Sequence, residues 1–239
     1  MTELLFRGDA YLTEAAARVL AVTSAGVVLD RTVFYPAAGG QPGDSGLLQR
    51  ADGTELRVAD TVKGEAGAVL HRLAEGTALP ALGEDIVAAI DWPRRHRLMR
   101  MHTALHLLCA LLPGAAVTGG AIGDGKGRLD FDLPAAPDRE ALNDALAQLV
   151  ADDHPVSETW ITEEELDANP QLVRTLSVKP PRGTGRVRLV RIGAADPALD
   201  LQPCGGTHVR STSEIGRVTV AKVENKGRQN RRIALVLEP

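Results

Sequence analysis

The chain has 239 residues, of which 44% are hydrophobic and 24% charged, and its formal net charge is −4 at pH 7. These are globular proportions, with material for one large domain or two small ones, and they exclude a disordered chain. The acidic balance excludes a nonspecific nucleic-acid glue but not a local basic face, and with only 3% aromatic residues the cores must be built from Ala, Val and Leu.

No apolar run reaches the length of a membrane span. The N-terminus, MTELLFRGDAYL, lacks the charged start, apolar stretch and cleavage site of a secretory signal. Two cysteines cannot make a disulfide framework, so a reducing cytoplasm is the expected location.

The first ~90 residues read as all-β. ARVLAVT (17–23) and VVLDRTVFY (27–35) are β-branched runs split by Ser-Ala-Gly, a hairpin signal. GLLQR and ELRVADTV flank Ala-Asp-Gly-Thr, and AVLHRLA (68–74) and DIVAAIDW (85–92) follow, each bounded by Gly or Pro. Short strands at this spacing predict a small barrel. At Trp92-Pro93 the texture changes. Pro93 suits a first helical turn, and from Arg94 to Leu112 neither Gly nor Pro occurs, while apolar residues fall at 98, 101, 105, 108 and 112. That is helical periodicity, stopped by Pro113-Gly114. Residues 115–133 read as two strands around a Gly-rich turn. Asp138 caps a helix over roughly 139–151, and Thr162 with Glu165 forms a capping box for another. VRLVRI (187–192), RVTVAKV (217–223) and RRIALVL (231–237) read as strands. There is no internal repeat and no low-complexity linker. The expected fold class is α+β: a small N-terminal β-barrel over 1–92, then a two-layer domain over 93–239 with a mainly antiparallel sheet.

Chemistry concentrates in two places. His102 and His106 stand four apart on the helix, so both point from one face, and Cys109 continues that stripe. Alone, such a pair reads more readily as two partly buried histidines bonded to neighbouring backbone. The second place is PCGGTHV (203–209), where Cys204 and His208 are again four apart but Gly205-Gly206 spoils a helix. This is expected to be a loop whose glycines let the backbone fold tightly so that both side chains converge. Three imidazoles and one thiolate make a complete tetrahedral set for zinc. Spacing does not decide whether the site is structural and closed or catalytic, and Cys109 is either a substitute ligand or a small core residue.

HTALH (102–106) followed at distance by PCGGTHV resembles the editing domain of alanyl-tRNA synthetases and the free-standing AlaX family of alanyl-tRNA editing proteins; threonyl-tRNA synthetases share a related domain. FYPAAGGQPGDSG (34–46) is similar to the Gly-rich motif of the longer AlaX forms, and GRLDFDL (127–133) and ENKGRQNRRIAL (224–235) also match, so the resemblance covers nearly the whole chain. It implies hydrolysis of the ester joining a wrong amino acid, serine or glycine, to tRNA(Ala). It also implies zinc held by His102, His106, Cys204 and His208. The catalytic water is expected on zinc with no protein nucleophile; whether the ion polarises that water or orients the amino acid's amine stays open. With no room for an ATP-using aminoacylation domain, the chain is expected to act as a free-standing editor.

The remaining candidates follow from that reading. Thr118, in VTGG, approximately matches the family's pocket threonine, and a donor there can favour serine over its methyl analogue; it reads equally as a plain strand threonine. Gly119 and Gly120 would let the tRNA terminus approach the backbone, or would mark a bulge. Gln41 and Asp44 are candidates for contacting the tRNA end, or are simply a surface turn. Three basic clusters stand on this acidic chain: RRHRLMR (94–100); Lys179, Arg182, Arg186, Arg188 and Arg191; and Lys222, Lys226, Arg228, Arg231 and Arg232. Lys226, Arg228 and Arg231 are the favoured phosphate contacts, ahead of Arg94, Arg95 and Arg97. Two readings compete with the editing hydrolase: a non-catalytic tRNA-binding protein with structural zinc, and a metal-dependent esterase on a small metabolite. Oligomeric state is not legible.

Overall fold

A computed structural model of the chain describes residues 1–176, 183 and 185–238, so Lys179 and Arg182 of the basic clusters lie outside the described residues. The chain divides into two compact units, Met1–His96 and Arg97–Pro239. It is a mixed α and β protein with a closed barrel and mainly antiparallel sheets.

In the first unit, β1 (Glu3–Leu4) pairs in parallel with β4 (Arg31–Thr32). The barrel consists of β2 (Glu14–Thr23), β3 (Gly26–Leu29), β5 (Gly46–Arg50), β6 (Glu55–Lys63), β7 (Val69–Leu73) and β8 (Asp85–Ile90), closed in the order β2-β3-β7-β6-β5-β8. Closure removes the free strand edges. Alternate residues point inward, and Val19, Val27, Leu29, Phe34, Leu48, Leu56, Val58 and Ile86 fill the interior. The expected strand over 27–35 is shorter, because Asp30 turns the chain: its carboxylate accepts from the Arg18 and Arg31 amides. Phe34 and Tyr35 then lie in the Gly-rich segment beyond.

That segment needs its glycines for close packing. A Cβ on Gly43 would lie 1.9 Å from the Thr61 carbonyl oxygen, and one on Gly46 would lie 2.2 Å from that of Ala89.

In the second unit, α1 (Trp92–Leu111), which starts in the first unit, supplies the central helix. Asp91 caps its start, accepting from the Arg94 amide at 3.0 Å. β9 (Ala116–Gly123) and β10 (Lys126–Asp132) form the expected hairpin, α2 (Arg139–Ala151) carries its Asp138 cap, and α3 (Glu163–Ala168) starts at the Thr162/Glu165 capping box. β11 (Val156–Thr162), β12 (Arg186–Ile192) and β13 (Asp200–Pro203) make one antiparallel sheet, and β14 (Val218–Asn225) and β15 (Asn230–Leu237) join the hairpin in the order β14-β15-β10-β9. Helix α1 packs closely on β10: a Cβ at Gly127 would meet Met101 Sδ at 2.6 Å. No helix among the described residues is long and apolar enough to cross a membrane.

A fully buried histidine makes the barrel acid-sensitive. His71 Nδ1–H donates to the Val27 carbonyl at 3.0 Å, Nε2 accepts from Thr32 Oγ1 at 2.8 Å, and Thr32 Oγ1 accepts from the Phe34 amide at 3.0 Å. The neutral ring is thus satisfied, and burial pushes its pKa down from 6.5 to about 4. The unfolded chain binds a proton near pH 6.5 that the folded barrel refuses until about 4, so the contribution is complete above 6.5 and lost as pH falls through that window. In urea titrations, the stability advantage of wild type over His71→Gln is expected to shrink by about 3 kcal/mol from pH 7 to pH 4; an advantage independent of pH would contradict this.

Candidate metal centre

Helix periodicity places His102 and His106 one turn apart on a buried face of α1. They are 8% and 6% exposed, with ring centroids 5.3 Å apart. The loop after β13 brings Cys204 and His208 to the same place. The His208 ring lies 4.2 Å from that of His102 and 4.6 Å from that of His106. Cys204 Sγ stands 3.5 Å from His102 Nε2 and 3.3 Å from His208 Nε2. One donor atom from each of the four residues lies within 4.8 Å of the others. PCGGTHV is a loop, as expected, but its glycines act differently from expectation. Neither Gly205 nor Gly206 adopts a left-handed conformation, and a Cβ on Gly205 would meet nothing within 4 Å.

What shapes the loop is Arg188 on β12. Its Nη1 donates to the carbonyls of Cys204 (2.6 Å) and Gly206 (3.0 Å), while Cys204 N–H donates to the Arg188 carbonyl at 3.2 Å. Arg188 Nε donates to Glu158 Oε2 at 2.8 Å, and Nη2 pairs with Glu158 Oε1. The guanidinium is therefore consumed by the loop and by a carboxylate.

The imidazoles are oriented from behind. His106 Nδ1–H donates to Asp200 Oδ2 at 2.8 Å, and Gln202 Nε2 donates to the same oxygen at 2.9 Å. Thr103 Oγ1 donates to the Met99 carbonyl at 3.0 Å, leaving its lone pairs for His208 Nδ1–H at 3.1 Å and the Val209 amide at 3.3 Å. Both rings thus turn Nε2 towards the shared centre, the arrangement outer partners impose on metal-binding histidines. These residues were not anticipated from sequence. A signal existed: Asp200-x-Gln202 sits two apart just before Cys204, the spacing that puts two strand side chains on one face.

The electrostatics favour a thiolate at Cys204, a neutral imidazole at His208 and a protonated one at His106. Burial alone would raise the Cys204 thiol, but facing His102 and His208 outweigh it and hold it well below its ordinary value. Burial and neighbouring His102 hold His208 well below the usual imidazole range. Burial opposes a charge on His106 too, yet Asp200 and Cys204 carry it up to about 10. Cys109 stays outside the four-donor group. It is buried in the core, where burial pushes its thiol up to about 12.

The structure relocates several other candidates. Thr118 is the extra residue of a β-bulge: Gly119 pairs with Asp130 and Val117 with Phe131. Its hydroxyl lies 3.1 Å from both the Asp130 carbonyl and Asn230 Oδ1. Gly120 lies against Leu129, whose Cδ2 a Cβ would meet at 2.8 Å. Gln41 closes a turn with Ala38 whose Gly39 and Gly40 are exposed, but Gln41 and Asp44 themselves are buried, at 2% and 1% exposure. The Asp44 carboxylate accepts from the Tyr35 amide at 2.6 Å and from Arg95 Nε at 2.9 Å, and it pairs with Arg95 Nη2. Arg95 also donates to the Ala10 carbonyl at 3.0 Å and that of Val33 at 2.7 Å. Expected as a surface phosphate contact, it is instead fully buried, and breaking such a pair typically costs about 3–5 kcal/mol. Arg94 donates to the Gly43 carbonyl, and Arg97 pairs with Asp124. Arg231 is likewise corrected: it is 7% exposed and donates to the carbonyls of Gly227, Asn230, Pro134 and Arg228, which closes the β14–β15 turn. Arg191 clasps the carbonyls of Gly193 and Ala195. Lys226 and Arg228 are exposed on that turn, Lys226 with Glu224 at 3.7 Å.

Comparison with known proteins identifies the family. Residues 8–94 match the family model "tRNA synthetases class II (A)", and residues 187–234 match "Threonyl and Alanyl tRNA synthetase second additional domain". The chain is 34% identical over 242 residues to the alanyl-tRNA editing protein AlaX-M of Saccharolobus solfataricus, covering 100% of both chains. It is 38% identical over 248 residues to AlaX-M of Methanosarcina acetivorans, covering 99% of each. It is also 36% identical over 233 residues to the alanine–tRNA ligase of Pyrobaculum neutrophilum, covering 93% of this chain but 25% of that one. The chain belongs to the AlaX family of alanyl-tRNA editing proteins.

Proposed function

We propose that this protein is a zinc-dependent hydrolase that clears tRNA(Ala) mischarged with serine, and with glycine, in trans. The deacylase chemistry is assigned to residues 93–239, with the barrel of residues 1–92 as its accessory domain. The observation that carries the reading is the convergence of His102, His106, Cys204 and His208. One thiolate and three imidazoles form a donor set suited to zinc. The Sγ to Nε2 separations of 3.3 and 3.5 Å compare with the ~3.6 Å edge of a tetrahedron having zinc–sulfur and zinc–nitrogen bonds of ordinary length.

Zinc, when bound, supplies a Lewis acid beside the ester. The chain's own residues do the rest. Asp200 and Thr103 hold the Nδ1 protons of His106 and His208, and Arg188 fixes the Cys204 loop. Thr118 reads the serine hydroxyl. Its proton is drawn towards the Asp130 carbonyl and Asn230 Oδ1, so its lone pairs accept from the substrate. A site built around such a hydrogen bond discriminates against the methyl analogue by on the order of 10⁴. Lys226 and Arg228 supply phosphate contacts.

The test is deacylation of seryl-, glycyl- and alanyl-tRNA(Ala), with and without chelator. Seryl- and glycyl-tRNA are expected to be hydrolysed and alanyl-tRNA spared, with activity lost on chelation and serine selectivity lost in Thr118→Val. Equal loss of all three esters, or of none, would refute the reading; tRNA binding without turnover would favour a structural zinc. About one zinc per chain is expected, and none in His102→Ala or Cys204→Ala. Asp200→Asn is expected to weaken zinc binding about 10- to 100-fold in a chelator competition, with an unchanged far-UV spectrum; unaltered affinity would remove Asp200 from its positioning role.

A further inference from the structure

We infer that Trp160 is a stacking platform for the nucleobase of the terminal nucleoside that carries the scissile ester, an assignment that rests on the proposed function. Trp160 on β11 pairs with Arg188 on β12. Leu189 pairs with Pro203, so the next residues, Arg188 and Cys204, stand opposite each other, joined by the Cys204 amide at 3.2 Å. Trp160, Arg188 and Cys204 therefore form one row across the sheet. Directly opposed residues project from the same face, and two strand spacings separate the row's ends by about 10 Å.

The other face of this sheet is committed. Ile161, Val187, Leu189 and Leu201 pack with Leu166 of α3. The Trp160 face carries Asp200 and Gln202, which alternate on β13 and orient His106. On this face Arg188, Val190, Gln202 and Asp200 are buried, while Glu158, Trp160 and Arg186 at its margin are exposed, Trp160 by 46%. The open indole stands on the face that carries Cys204 and the Asp200 and Gln202 supports, and the row fits one occupant in particular. With the ester at Cys204 and its neighbours, a ribose and base reach about two strand spacings.

Recognition at Trp160 is by stacking and not by charge. The neighbouring guanidinium is spent on Glu158 and on two loop carbonyls, so Arg188 is not a phosphate ligand. An aromatic face accepts any base, and base–aromatic stacks contribute about 1–3 kcal/mol each.

The experiment compares Trp160→Ala and Trp160→Phe with wild type on seryl-tRNA(Ala). In the alanine variant KM is expected to rise on the order of tenfold or more, with kcat and zinc content held, and phenylalanine should restore most of the loss. The salt dependence of KM should keep its slope, because no phosphate contact is removed. Calorimetry with 3′-deoxy-3′-(L-serylamino)adenosine should show the same weakening, while serinamide binds wild type and variant alike. Unchanged KM and unchanged analogue affinity in Trp160→Ala, with wild type turning over normally, would overturn the stacking assignment alone. A wild-type protein that hydrolyses no mischarged tRNA would overturn the proposed function and this assignment with it.

Discussion

The second unit depends on one meeting: the buried face of α1 against the loop that follows β13. Neither element holds four donors alone. The helix contributes two imidazoles because its period returns every fourth residue to one face. The loop contributes a thiolate and a third imidazole, and three hydrogen-bonded supports hold it there. Asp200 reaches His106, Thr103 reaches His208, and Arg188 grips the Cys204 and Gly206 carbonyls. Burying a thiolate and several imidazoles together is costly unless each is paired, and here Asp200, Thr103 and Arg188 each satisfy buried polar groups of the centre or its loop. The centre is thus assembled by tertiary contact, with preorganisation supplied by neighbours that are not themselves donors.

Arginine has an unexpected job in this chain. Arg95, Arg188, Arg191 and Arg231 all donate to backbone carbonyls. The planar fork of five donors suits that task better than a lysine ammonium would. The consequence is that basic clusters in the sequence do not map onto basic surfaces. Much of the positive charge in residues 94–100 and 186–191 is spent inside the units. The Gly-rich segment shows the same inward logic: its Asp44 anchors Arg95, and its glycines at 43 and 46 admit close backbone approach.

Local features were legible in the sequence because their causes are local. The long helix follows from apolar spacing and from Pro113-Gly114 beyond it. The Asp138 cap and the Thr162/Glu165 box need only a few neighbouring residues, and both are present. The paired strands around Gly-rich turns followed from β-branched runs. β11 escaped notice because its SETWIT run is largely exposed and polar, and β13 because four residues are too few to show a period. The two H/C-x-x-x-H spacings named the four donors. The supports did not show, since Asp200, Thr103 and Arg188 acquire their roles only when distant strands and α1 meet. Burial decided the misplaced residues: nothing local to Asp44 or Arg231 distinguishes an internal anchor from a surface charge.

X-ray absorption at the zinc edge of the metal-loaded protein tests the central claim most directly, because it counts donors by element. The expected spectrum fits one sulfur at about 2.3 Å and three imidazole nitrogens at about 2.0–2.1 Å. A shell with two sulfurs, or with none, would contradict a centre built from His102, His106, Cys204 and His208.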